Sequence, residues 1–119
     1  MKAFVLFGHG SSVQSANESV AAAGRALAQT GGHIVETAFL EQAQPDLPAA
    51  VERLVGQGAT NITVIPYFLT LGIHLRRDLP GIVAGLAGAH PGVEIHVTPP
   101  LDGHPALLQI LLDRAKGAA

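Results

Sequence analysis

At 119 residues, 48% of them hydrophobic and 13% charged, the chain has room for one hydrophobic core and not for two, which predicts a single domain over residues 1–119. The absence of cysteine excludes disulfides, thiolate metal sites and cysteine nucleophiles, so any bound metal must rest on imidazole and oxygen. A formal charge of −2, no long Lys/Arg run and only 4% aromatic residues leave neither an electrostatic footprint nor a stacking platform for nucleic acid.

Residues 2–7 form an apolar run without alternation, the pattern of a strand buried on both faces, and Gly8 ends it. The run is far shorter than the ~20 residues that cross a bilayer, and no basic leader with a cleavage site opens the chain, so neither a membrane span nor secretion is expected and the cytoplasm is the expected compartment. Ser15 to Glu18 reads as a Ser-x-x-Glu capping box opening a helix that runs to about residue 30, where Gly31-Gly32 supplies a left-handed exit. Residues 34–40 predict a second strand. Asp46 and Pro48 open a second helix with Leu47, Ala50, Val51, Leu54 and Val55 along one face, closed by Gly56 and Gly58. Residues 61–66 predict a third strand, and Asp78 is expected to cap a third helix carrying Leu79, Ile82, Val83, Leu86 and Ala87. A fourth strand over residues 93–97 precedes a helix started by Pro105, in which Leu107, Leu108, Leu111 and Leu112 are expected to face inward.

Four strands alternating with four helices predict an α/β fold: one parallel sheet of order 2-1-3-4 with helices on both faces, joined by right-handed crossovers. In such sheets ligands bind beyond the carboxyl ends of the strands, where successive connections leave in opposite directions, here between the first and third strands. His9 and residues 66–74 follow those two strands, and Glu41 follows the second.

His9 stands between two glycines in Gly8-His9-Gly10-Ser11-Ser12, a turn in which small neighbours let a ligand approach the backbone. The same residues admit other readings. A phosphate cradle lacks the lysine and spacing of a P-loop. A phosphate-accepting histidine of the Arg-His-Gly kind lacks its arginine, since position 8 is Gly, and a serine nucleophile lacks the Gly-x-Ser-x-Gly elbow. Residues 66–74, which include Tyr67 and Phe68, make an unusually apolar segment for a sheet edge, suited to walling a flat hydrophobic ligand or to covering a helix or a subunit contact. His74 lies at its polar end, before Arg76 and Arg77. Two neutral imidazoles and the Glu41 carboxylate suit an exchangeable divalent ion such as Co²⁺, Fe²⁺, Ni²⁺ or Zn²⁺. His33, His90, His96 and His104 read as structural or solvated.

With these residues in place, the chain resembles the small CbiX-type sirohydrochlorin chelatases, half-length members of the class II chelatase superfamily. The resemblance is carried by Gly8-His9-Gly10-Ser11, Asn17-Glu18, Phe39-Leu40-Glu41, Pro66-Tyr67-Phe68-Leu69, Gly72-Ile73-His74 and Asp78-Leu79-Pro80, in the family's order and approximate spacing. It implies a chelatase-like, flavodoxin-like fold and a homodimer. It also implies an enzyme that inserts Co²⁺, Fe²⁺ or Ni²⁺ into sirohydrochlorin or a related tetrapyrrole, with His9 and His74 as the metal-binding and catalytic pair and Glu41 as their carboxylate helper. The metal is then a substrate and no cofactor is permanently bound. The macrocycle would meet Gly10, Ser11, Ser12, Tyr67 and Phe68. The family commonly has arginine where this chain has Ser12, which leaves Arg76, Arg77 and nearby helix amino termini to supply positive potential for substrate carboxylates. The competing reading is a non-catalytic carrier of metal or tetrapyrrole using the same residues.

Overall fold

A strand apolar on both sides belongs in the middle of a sheet, and β1 (Lys2–Gly8) lies there. The computed structural model describes residues 1–118. In it β1 pairs in parallel with β2 (Val35–Phe39) on one side and β3 (Asn61–Pro66) on the other, and β3 pairs in parallel with β4 (Glu94–Val97), giving the expected order β2-β1-β3-β4. Ala3, Val5 and Phe7 of β1 and Ile62 and Val64 of β3 project to one face. There they form the core with α2 (Leu47–Gly56), through Leu47, Ala50, Val51 and Leu54, and with α3 (Ile73–Ala89), through Leu79 and Leu86. Each large apolar side chain fully removed from water contributes about 1.5–3 kcal/mol. The opposite face is covered over β1 and β2 by α1 (Gln14–Gly31), whose left-handed exit at Gly32 is as predicted.

The second helix follows its expected signals. Asp46 accepts from the Ala49 amide at 2.9 Å and Pro48 sits in the first turn. Three other expectations are corrected. The helix α1 begins at Gln14 behind Val13, so Ser15 lies inside the first turn and no capping box forms; Glu18 pairs instead with Arg25. The helix α3 begins at Ile73 behind Gly72, five residues before Asp78, so Asp78 is an interior residue paired with Arg77 at 3.0 Å. Pro80 sits within α3, where it has no N–H to donate to the Arg76 carbonyl. Finally, α4 (Pro105–Lys116) buries none of its residues: Leu108, Leu111 and Leu112 are 62%, 65% and 49% exposed. It leaves the sheet instead of folding back on it, and it packs to no appreciable extent on any other strand or helix.

Among the described residues no helix is long and apolar enough to cross a membrane.

Candidate metal centre

The segments that follow the strands are laced together by main-chain hydrogen bonds. The Leu40 and Glu41 amides donate to the carbonyls of Gly8 and His9 at 2.9 and 3.1 Å, which holds the segment after β2 alongside the segment after β1. The Tyr67 amide donates to Phe7 at 2.7 Å, and the amides of Leu101 and Asp102 donate to Phe68 and Leu69 at 2.9 and 2.8 Å. The rim at the carboxyl ends is therefore built by backbone, with side chains free to point away from it.

His9 is exposed on this rim. Its Nδ1 lies 3.0 Å from the Gly10 carbonyl oxygen, which can only accept, so in the neutral ring Nδ1 carries the proton and Nε2 keeps its lone pair. That nitrogen lies 3.5 Å from Oε1 of Glu41. A lone pair facing a carboxylate at this distance calls for a positive centre between them, either a proton or a cation. A metal ion about 2.1 Å from both atoms, the usual bond length to imidazole and carboxylate, would subtend about 110° at the observed 3.5 Å separation, close to the tetrahedral angle. The two side chains are 58% and 53% exposed, so an ion there would keep positions open for exchange.

Phe68 packs edge-on to both Phe7 and His9, with ring centroids 5.9 and 6.2 Å away. It is half-buried against the core and forms an apolar wall beside the imidazole, whereas Tyr67 is 41% exposed and faces outward. Ser12 is exposed. Ser11 is committed to the turn, its hydroxyl accepting from the Val13 amide at 3.0 Å. Arg76 and Arg77 are exposed on the first two turns of α3.

His74 does not join the pair. Among the described residues no three histidine, aspartate or glutamate side chains are grouped to hold a metal ion, so the expected trio of His9, His74 and Glu41 is met only by His9 and Glu41. The physical reason is the early start of α3: His74 belongs to a helical first turn, not to a loop end, and its Nδ1 lies 3.5 Å from the Arg77 guanidinium one turn on.

One contributor had no role assigned from the sequence. Asn17 is the buried polar residue of the described core, 6% exposed, and its side-chain amide clamps Ser11 from both sides: Oδ1 accepts from the Ser11 amide at 2.9 Å while Nδ2 donates to the Ser11 carbonyl at 2.8 Å. The available signal was its helical phase, since Asn17 shares a stripe with Val20 and Gly24 on the inner side of α1.

The CbiX family model matches residues 3–118. The chain belongs to the CbiX family. It is 30% identical over 129 residues to the sirohydrochlorin cobaltochelatase of Methanothermobacter thermautotrophicus, with 96% of this chain and 90% of that protein covered. The crystal structure of a CbiX protein from Marinobacter aquaeolei superposes with a TM-score of 0.86 at 32% identity over 98% of this chain and 96% of that one. The sirohydrochlorin chelatase SirB from Bacillus subtilis subspecies spizizenii, solved in complex with cobalt, superposes with a TM-score of 0.90 at 29% identity; it covers 99% of this chain but 51% of its own. The fold of one CbiX unit thus also occurs in chains of about twice this length.

Proposed function

We propose that this member of the CbiX family is a sirohydrochlorin metal chelatase: one domain that works in the cytoplasm as a homodimer and inserts Co²⁺, Fe²⁺ or Ni²⁺ into sirohydrochlorin or a related tetrapyrrole. The observation that carries the reading is the Nε2 lone pair of His9 held 3.5 Å from the Glu41 carboxylate on an open rim, beside the apolar ring of Phe68.

Insertion requires the macrocycle to lose two pyrrole protons while the ion exchanges water and protein ligands for four ring nitrogens. No covalent nucleophile is needed. His9 and Glu41 hold the ion through Nε2 and a carboxylate oxygen. His74 supplies the second imidazole from the first turn of α3, once its ring leaves Arg77. As each ring nitrogen engages the metal, the group it displaces becomes free to accept a pyrrole proton, so one nitrogen never has to ligate and accept at once. Tyr67 and Phe68 face the flat apolar surface of the macrocycle, Gly10, Ser11 and Ser12 form the small-residue floor it approaches, and Arg76 and Arg77 meet its carboxylates.

The test is to mix the protein with sirohydrochlorin and each of the three ions and to follow the absorption spectrum. A spectral change faster than in the protein-free mixture is expected for at least one ion. Binding of free metal and of macrocycle without accelerated insertion would assign the chain to the carrier reading instead.

A further inference from the structure

Among the described residues Gln42 is the one residue other than glycine with positive φ, at 60°. In the left-handed region an L side chain crowds the following carbonyl, so such a conformation persists only where the surrounding structure fixes the chain on both sides of it. Elsewhere the chain meets the same demand with glycine. At Gly32, Gly58, Gly92 and Gly103, all of positive φ, a Cβ would meet nothing within 4 Å, so glycine is there for backbone freedom alone.

The chain around Gln42 is fixed on both sides. Before it, the Leu40 and Glu41 amides donate to the Gly8 and His9 carbonyls at 2.9 and 3.1 Å. After it, the Pro45 carbonyl accepts from the Phe39 amide at 2.9 Å, and Asp46 caps α2, whose inner residues lie in the core. Residues 42–44 alone must therefore return the chain to its starting point. The peptide unit that joins Glu41 to Gln42 is also the one whose carbonyl oxygen is seated on Gly10 and leaves no room for a Cβ there. The φ rotation of Gln42 lies immediately beyond that peptide. With a negative φ at position 42, either the peptide swings and its oxygen leaves Gly10, or the chain no longer reaches Phe39. A swing moves Glu41, whose Cα is the other end of the same unit.

We propose that Gln42 is a positioning residue of the metal rim: its left-handed backbone keeps the Glu41–Gln42 peptide on Gly10 and thereby the Glu41 carboxylate 3.5 Å from Nε2 of His9. The proposal rests on the reading of His9 and Glu41 as ligands of the substrate ion. The Gln42 side chain is exposed and carries no part of the role; position 42 contributes a backbone angle.

Titration with Co²⁺ alone, over a substitution series, tests this. Gln42→Asn and Gln42→Gly, which accept positive φ, should bind Co²⁺ within about twofold of the parent, whereas Gln42→Val, whose branched side chain resists that region, should bind about 10-fold more weakly. Circular dichroism should show the fold retained in all three, since the position is exposed. In a Glu41→Gln background Gln42→Val should weaken binding by less than about twofold more, because the carboxylate it positions is already gone. Unchanged binding by Gln42→Val, an equal loss in both backgrounds, or losses in Gln42→Asn and Gln42→Gly as large as in Gln42→Val would each overturn the proposal and leave the metal reading standing. A Glu41→Gln variant that binds Co²⁺ as tightly as the parent overturns both.

Discussion

Gly10 and Glu41 touch through their main chains: a Cβ built on Gly10 would fall 1.7 Å from the Glu41 carbonyl oxygen, and Gly10 itself adopts φ +89°. No other residue can sit there without moving the segment that carries Glu41. Gly10→Ala should therefore separate the His9–Glu41 pair, weaken Co²⁺ binding about 10- to 100-fold and cost about 1–3 kcal/mol of stability. Titration with Co²⁺ and urea unfolding on the same samples check both effects, and unchanged affinity would show that the pair does not bind the ion.

The exposed side chains of the rim should matter for metal and not for folding. His9→Ala should abolish insertion, His74→Ala should do the same, and Glu41→Gln should lower metal affinity about 10- to 100-fold, each with unfolding free energy within about 0.5 kcal/mol of the parent. A fully active His9→Ala/His74→Ala double variant would remove imidazole from the mechanism.

Asn17 offers a test of how the His9 turn is held. Asn17→Ala strands the amide and carbonyl of Ser11 and should cost about 1–3 kcal/mol. Asn17→Asp keeps the acceptor for the Ser11 amide but sets a negative oxygen against the Ser11 carbonyl, a clash that protonation of the new carboxyl relieves by restoring a donor. The stability gap between Asn17→Asp and the parent should narrow as pH falls, a trend that urea unfolding across pH measures. A gap independent of pH would mean that Nδ2 contributes nothing.

Proton and metal compete for the same imidazole lone pair, so Co²⁺ affinity should fall as pH drops. The direction is fixed, since acid fills the lone pair and base empties it. Affinity unchanged at about pH 5 would argue against imidazole ligation.

Arg76 and Arg77 are exposed, so their part in holding substrate carboxylates should be modest and sensitive to salt. Arg76→Ala/Arg77→Ala should raise KM for the tetrapyrrole about fivefold with kcat little changed, an effect that shrinks at high ionic strength. Steady-state kinetics at two salt concentrations separate this outcome from a loss of kcat, which would place the arginines in the chemical step.

The topology was legible because periodicity and turn chemistry agreed. The buried run of β1, the Asp46 cap and the Gly32 exit each acted as local physics predicts. The rim was legible in part. Glycines around His9 announced a close approach, and Glu41 stood where the sheet order required. What stayed hidden depends on packing beyond the reach of local pattern. The start of α3 was masked by apolar residues before Asp78 and by a proline inside the helix, and this moved His74 from a loop onto a helical turn. The leucines of α4 have the spacing of an inward face, yet spacing says only that a face wants cover and not which molecule supplies it.

Because His9 and Glu41 are stationed by amide-to-carbonyl pairing between neighbouring loops, the frame is indifferent to what hangs from either position. On the proposed reading, a single replacement at Glu41 would change the donor offered to the ion while the scaffold endures. The same insensitivity would let a softer or harder donor at position 41 retune the proposed site without rebuilding it.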